Sequence, residues 1–314
     1  MHDLVGLGEI LLRLAIPSPA RFETVRQLDV QFGGAEANVM AAAARLGLRT
    51  AWISALPDNA WGQRARRELS GQGVDCRYVV TKPSARMGLY FVEYGAPPRP
   101  IRVVYDRRDS AFARLEPDEV DWEPVRRARL VHLTGISPAL GPSARALVER
   151  ALGEASAVSF DVNYRATLWS PGEARSFLAR VLPAVRYLFL GQEEARAIFA
   201  LTDSPAKTLE ALAALAPRAT ISLLRGQDGS LTRSEGQLYE PGRRPSVSMV
   251  DPIGAGDAWV AGFLWASLSG RSVQTAVDAA TAVAALKCST WGDIALVDPS
   301  DVEDLLGGGP HMRR

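Results

Sequence analysis

Lysine, cysteine and histidine are all scarce in this sequence. Only Lys82, Lys207 and Lys287 occur in 314 residues, so arginine carries nearly all the positive charge and a lone arginine says little about a site. The two cysteines, Cys76 and Cys288, stand far apart with no partner at ligand spacing, which excludes a zinc motif and a disulfide framework and fits a reducing cytoplasm. Of the three histidines only His132 lies away from the ends, in LVHLTG, where it reads as a core or strand-end residue. No stretch reaches the about 18 apolar residues of a membrane span. The opening MHDLVGLGEILLRL carries Asp3 and Glu9 within its apolar run and lacks a basic start, so no targeting segment is expected. The glycine-rich lysine loop of P-loop nucleotide enzymes is missing. A net charge of +1 gives no field to recruit nucleic acid or an anionic membrane, which leaves small molecules as the expected partners.

What is present is rhythm. Short apolar runs alternate with helical patterns: LVGLGEI, AEANVMAAAARLG, TAWISAL, a helical run from Asp58 towards Gly71, then RARLVHLTG, PSARALVERALGEA, AVSFDVN, YLFLG, QEEARAIFAL, TISLLRG and the closing helices from Gly256 onward. This alternation predicts a three-layer α/β fold, a mostly parallel central sheet with helices on both faces, formed as one domain over 1–308. Ser170, Pro171 and Glu173 spell an N-cap, a first helical residue and a capping box, fixing one helix start. The rhythm breaks at MGLYFVEY and IRVVYDR, which are strand-like and joined by GAPPRP with no helix between. With CRYVV they predict a small antiparallel β lid, drawn mainly from residues 76–107, whose uncovered face closes over a ligand or a second copy of the chain. The tail, residues 309–314, reads as disordered.

Two glycine turns lie at opposite ends of the chain. In VDPIGAGDAWVAGF a β-like run, PSVSMVD, enters Gly254, Ala255 and Gly256 and leaves through Asp257 into an apolar helix. Such a turn lets backbone amides converge on an anion at a helix N-terminus, with the Asp257 carboxylate beside it; the plain alternative is a glycine turn with Asp257 as N-cap. In QFGGAEANVM, Gly33 and Gly34 precede a helix with Asn38 in its first turns, where hydroxyls of a ligand can approach the backbone. The plain alternative there is a tight turn.

GGAEAN and DPIGAGD, in this order and spacing, resemble the two signatures of the ribokinase-like (PfkB) carbohydrate kinases, and the likeness runs from about residue 3 to residue 300. The resemblance implies an ATP- and Mg2+-dependent kinase, with room for a monovalent cation, in which Asp257 is the catalytic base. The amides of Gly254, Ala255 and Gly256 would form the anion hole. Arg225, Gly226 and Gly229 would shape the nucleotide loop, and Glu194 would reach magnesium through water. Because the helix N-terminus favours charge, Asp257 is expected to be ionised at neutral pH. Within the family, SFDVNYRATLWSP, VYDR and GLYFVEY are most similar to kinases of 2-keto-3-deoxygluconate. That likeness places Gly34, Asn38, Tyr90, Tyr105, Arg107, Ile136, Asn163, Arg165 and Asp257 around the sugar acid. Arg107 on the lid and Arg165 on the main sheet would supply the guanidiniums that a carboxylate needs.

Three positions depart from the family pattern: Gly191 stands ahead of Glu194 where an asparagine is usual, Leu224 replaces a lysine, and Asn59 replaces an acid and reads as structural. A kinase of a neutral sugar such as fructose or ribose, and a sugar- or nucleotide-binding relative of weak activity, therefore stay open beside the sugar-acid kinase. A homodimer or higher oligomer formed through the lid is also expected.

Overall fold

The runs LVGL, TAWISALP, LVHLT, VSFD, YLFLG and TISLL are buried along nearly their whole length, and such runs fit a sheet covered on both faces. A computed structural model of the protein describes residues 1–16, 20–95 and 98–307. Its strands are β1 (Leu4–Leu7), β2 (Leu11–Ala15), β3 (Asp29–Gly33), β4 (Thr50–Pro57), β5 (Val79–Lys82), β6 (Leu89–Glu93) and β7 (Arg102–Asp106). Then follow β8 (Leu130–Thr134), β9 (Val158–Asp161), β10 (Tyr187–Gly191), β11 (Thr220–Leu224), β12 (Ser230–Ser234) and β13 (Gln237–Tyr239). Nine form one sheet in the order β13-β12-β11-β10-β9-β8-β1-β4-β5, parallel except at the β11-β12-β13 end.

Successive side chains point to opposite faces of this sheet. Leu4, Trp52, Leu130 and Phe189 join one core with the helices Ala35–Arg45, Ala255–Leu268 and Val273–Cys288. Val5, Ile53, Val131 and Leu188 join a second core with the helices Pro142–Glu154 and Pro171–Val181. The result is the expected three layers. Local signals hold as well: Ser170 and Glu173 form a reciprocal capping box, and Asn59 caps the helix Ala60–Gly71 by accepting from the Trp61 and Gly62 amides.

The lid is a second sheet in the order β3-β2-β6-β7, and its membership differs from the sequence expectation. CRYVV does not belong to it: β5 pairs with β4 in the central sheet, and the Arg66 guanidinium holds the carbonyls of Cys76 and Val79 there. The lid instead draws β2 and β3 from the first 33 residues, so LVGLGEILL is split between the two sheets. It is also not purely antiparallel, because its central pair, β2 and β6, runs parallel. A local reading finds the β6–β7 hairpin but has no signal for a pairing partner some 75 positions away. PSVSMVD forms no strand; the amides of Val250 and Asp251 meet the Cys288 carbonyl instead of a neighbouring strand. The expected disorder of 309–314 falls outside the described residues.

Strand order runs outward from β1 through β4 to β5 on one side, and through β8, β9 and β10 on the other. Such a reversal opens a crevice at the carboxyl ends of the strands, where α/β sheets bind ligands.

Candidate active site

A cavity of about 270 Å³ opens at that crevice beneath the lid. Glu9 follows β1, Ile136 follows β8, and Asp161, Gly191 and Leu224 end β9, β10 and β11, so five strand ends build its wall. Of the residues anticipated from sequence, Gly34, Asn38, Tyr90, Tyr105, Arg107, Ile136, Asn163, Arg165, Glu194, Gly254, Gly256 and Asp257 line it. Ala255, Arg225, Gly226 and Gly229 do not.

The first glycine pair is more than a tight turn. A Cβ added to Gly33 would lie 2.3 Å from the Tyr90 hydroxyl, and one added to Gly34 would lie 2.1 Å from the Glu9 carbonyl oxygen, so lid and sheet approach as closely as backbone allows. In the helix that follows, Asn38 Oδ1 accepts from the Gly34 amide at 3.3 Å while its Nδ2 donates to Asp257 Oδ2 at 2.7 Å. Asn38 therefore orients the acid of the second glycine turn, a role its sequence position does not reveal.

At that second turn Gly254 takes φ 84°, and a Cβ there would meet the Asp293 carbonyl at 2.2 Å. Gly254 is also the N-cap of Ala255–Leu268, whose first turn has no side-chain cap. The Ala255 amide, expected in the anion hole, turns back to the Pro252 carbonyl at 3.2 Å, whereas Gly254 and Gly256 line the cavity. Asp257 sits in the first helical turn rather than at the cap. Its ionisation is poised near neutral pH rather than complete. Burial, together with the neighbouring Asp293 and Glu36 carboxylates, raises its pKa to about 7 against the opposing pull of Asn38 and Arg165.

Six carboxylates, Glu9, Glu36, Asp161, Glu194, Asp257 and Asp293, face two guanidiniums, Arg107 and Arg165, around the cavity. Arg107 is buried and spends two donors on Glu9, at 2.9 and 2.5 Å, so its charge is already matched within the chain. Arg165 is half-buried and forms no ion pair among the described contacts; burial raises the pKa values of Asp161, Glu194 and Asp257, and the Arg165 charge opposes that rise. Tyr90 stacks on Tyr105 at 5.7 Å and donates to Asp293 Oδ2 at 2.7 Å. Asn163 adopts φ 39°, a left-handed conformation that asparagine tolerates, and donates to Asp161. Glu194 accepts from the Gly191 and Tyr164 amides on its two oxygens, so it caps a helix and fixes the loop bearing Arg165.

Sequence reading missed Glu9, Asp161 and Asp293. Asp161 stood at a strand end inside a quoted motif, whereas Asp293 has no local signal. Glu36, within GGAEAN, is fully enclosed and accepts from Thr134 and Ser137; burial raises its pKa. The loop after Leu224 is a tight turn with Gly226 and Gly229 at positive φ, and Arg225 pairs with Glu240 at 2.9 Å. No cluster of three or more histidine, cysteine or acid side chains forms a metal cage among the described residues. A cavity with hard oxygen donors and an excess of carboxylates fits a divalent cation that arrives with a nucleotide and keeps much of its water.

Comparison with known proteins agrees with this geometry. Residues 1–299 match the pfkB family of carbohydrate kinases. The chain is 40% identical to a 2-dehydro-3-deoxygalactonokinase of Haloferax volcanii over 98% of its own length and 97% of that protein's. It is 33% identical to a 2-dehydro-3-deoxygluconokinase of Thermoproteus tenax, covering 98% and 94% of the two chains. The crystal structure of the 2-dehydro-3-deoxygluconokinase of Thermotoga maritima superimposes with a TM-score of 0.93 at 31% identity, covering 98% and 100%. With a family match across nearly its full length and an open, lid-covered crevice of the kind just described, this chain belongs to the pfkB family of carbohydrate kinases.

Proposed function

We propose that the protein transfers the γ-phosphoryl group of ATP to the terminal hydroxyl of a 2-keto-3-deoxy sugar acid, and that 2-keto-3-deoxygluconate is its substrate. The observation that carries this reading is the meeting, in one cavity, of Asp257 held by Asn38, the helix-end residues Gly254 and Gly256, and Arg165, which has no ion-pair partner among the described residues. The names of the relatives support the acid class; their two substrates differ only in the configuration at C4.

In the reaction the sugar hydroxyl attacks the γ-phosphorus, the bond to the bridging oxygen breaks with its electron pair leaving on ADP, and Asp257 takes the hydroxyl proton. A carboxylate with a pKa of about 7 is matched to that task at neutral pH. Amides at the N-terminus of the helix Ala255–Leu268 face the transferred group's oxygens, where fixed donors lower the barrier most. Magnesium bound with ATP supplies charge neutralisation on the phosphates, and we assign Asp161 and Glu194 to its water shell. Arg225, Gly226 and Gly229, just beyond Leu224, are assigned to the nucleotide. Because Glu9 already satisfies Arg107, recognition of the sugar carboxylate falls mainly on Arg165. The exposed Val104 of β7, on the strand face opposite Tyr105, favours a homodimer through the lid, and the two buried free cysteines fit the cytoplasm.

The test compares kcat/KM for 2-keto-3-deoxygluconate, its C4 epimer and fructose in wild type, Arg165→Ala and Arg107→Ala. Removing Arg165 leaves a desolvated carboxylate unpaired, a loss of about 2 to 5 kcal/mol in acid binding, while fructose loses far less. A parallel fall for acid and neutral sugar in both variants refutes the acid assignment and leaves a kinase of another sugar.

A further inference from the structure

Arg13 is the sole charged residue of β2, and its side chain is fully buried. It does not line the cavity. Its Nη1 donates to Asp293 Oδ1, and its Nη2 donates to the Tyr94 hydroxyl and, at 2.6 Å, to Asp251 Oδ2. Each partner belongs to a different part of the site. Asp251 opens the second glycine turn: its Oδ1 accepts from the Ile253 amide at 3.0 Å, and its carbonyl accepts from the buried Lys287 ammonium at 2.7 Å. Its Oδ2 also accepts from the Gly292 amide at 3.0 Å, tying the turn to the segment that carries Asp293. Asp293 lines the cavity, takes the Tyr90 hydroxyl on its other oxygen, and has its carbonyl against Gly254. Tyr90 lies within β6 of the lid and Tyr94 directly follows it, and Tyr94 packs edge-on against Trp291 at 4.9 Å.

We infer that Arg13 is a positioning residue that holds the phosphate-facing turn, the cavity-facing Asp293 and the lid in one frame. The stability of the fold gives little reason for such a cluster, since buried ion pairs are commonly neutral or unfavourable beside an apolar replacement. What Arg13 does that an apolar side chain cannot is fix three separate segments at once through planar, directional donors. Two cations, Arg13 and Lys287, balance two carboxylates, Asp251 and Asp293, so removing the guanidinium releases both sides of the reaction centre together. The inference rests on the kinase reading of the Asp257 turn.

The experiment measures kcat, KM for ATP and thermal midpoint of the full chain in wild type, Arg13→Met, Arg13→Lys and Leu212→Ala. Leu212 is buried in the opposite core and serves as a control for lost stability. Arg13→Met is expected to lower kcat about 100-fold, the effect of a displacement of about 1 Å, while KM for ATP stays within about threefold. Arg13→Lys, a point charge in place of a fork, recovers only part, leaving kcat about tenfold below wild type. Leu212→Ala lowers the midpoint and leaves kcat unchanged at temperatures where it is folded. Wild-type kcat in Arg13→Lys overturns the inference, and decides the matter if Arg13→Met does not fold. Equal kcat losses in Arg13→Met and Leu212→Ala overturn it too. The ratios are read on whichever sugar the wild type phosphorylates, so a failed acid assignment is distinguished from a failed role for Arg13.

Discussion

Replacing Asp257 by asparagine should abolish most turnover and yet make the protein more stable above neutral pH. The amide keeps the carboxylate's shape and its contact with Asn38 but cannot take the proton, so kcat should fall about 10²- to 10⁴-fold with substrate affinity largely kept. Stability moves the other way because the folded pKa of Asp257 lies above its ordinary value. Between about pH 4 and pH 7 the unfolded chain has released this proton while the folded chain keeps it, so stability falls as pH rises, and above about 7 the full penalty applies. The rise from 3.8 to about 7 corresponds to at most about 4 kcal/mol. Asp257 is half-buried, and water in the cavity screens part of that, leaving about 2 kcal/mol, or a thermal midpoint some 4 °C higher for the variant. The measurement is thermal unfolding of both proteins from pH 5 to 8.5, beside kcat/KM of the wild type over the same range. The gap in midpoint should widen up to about pH 7 and then level, and the acid limb of kcat/KM should lie near the same pH. A gap that stays flat with pH, or a variant less stable than wild type at pH 8, refutes the raised pKa; near wild-type turnover refutes the base.

Asn38→Leu removes the donor that favours the charged form of Asp257, so the acid limb of kcat/KM should move up by about one to two pH units, the value of a charge-assisted hydrogen bond; an unmoved limb in a folded variant contradicts the contact. His132 is fully buried, and burial lowers its pKa to about 3. Below about pH 6.5 the unfolded chain takes up a proton that the folded chain refuses, so this residue should cost about 1.4 kcal/mol of stability per pH unit down to about pH 3. Urea unfolding at pH 4, 5 and 6 should therefore show a steeper acid loss in wild type than in His132→Leu, and parallel curves would rule out the buried neutral imidazole.

The central sheet was legible because its strands are apolar from end to end and bounded by turn residues, a pattern that burial on both faces demands. The lid was half legible. A hairpin such as β6–β7 announces itself locally, but the β2–β6 pairing joins distant segments, and β5 looked like lid only because it precedes the hairpin in sequence. At the site, Asp257 and the glycine turns stood out since few other residue types tolerate a φ of 84° or a carbonyl at 2.1 Å. The raised pKa of Asp257 was not legible because the burial that causes it, and the Asp293 and Glu36 carboxylates that add to it, come from elsewhere in the fold. For the same reason Arg107 looked free: its partner Glu9 lies 98 positions earlier.

The way the lid is sewn into the protein limits how it moves. The chain passes between the two sheets four times: through residues 8–10 after β1, at Gly34 before the first helix, through residues 83–88 before β6, and from Arg107 after β7. A panel on one hinge swings; a roof on four posts tilts or twists by small amounts shared among them. Three of these posts bear cavity residues, Glu9, Gly34 and Arg107, so the joints on which the roof leans are themselves touched by whatever lies beneath it. Occupancy of the cavity and the attitude of the roof are thus one mechanical variable, and a ligand too small to load the posts leaves the roof where it stood.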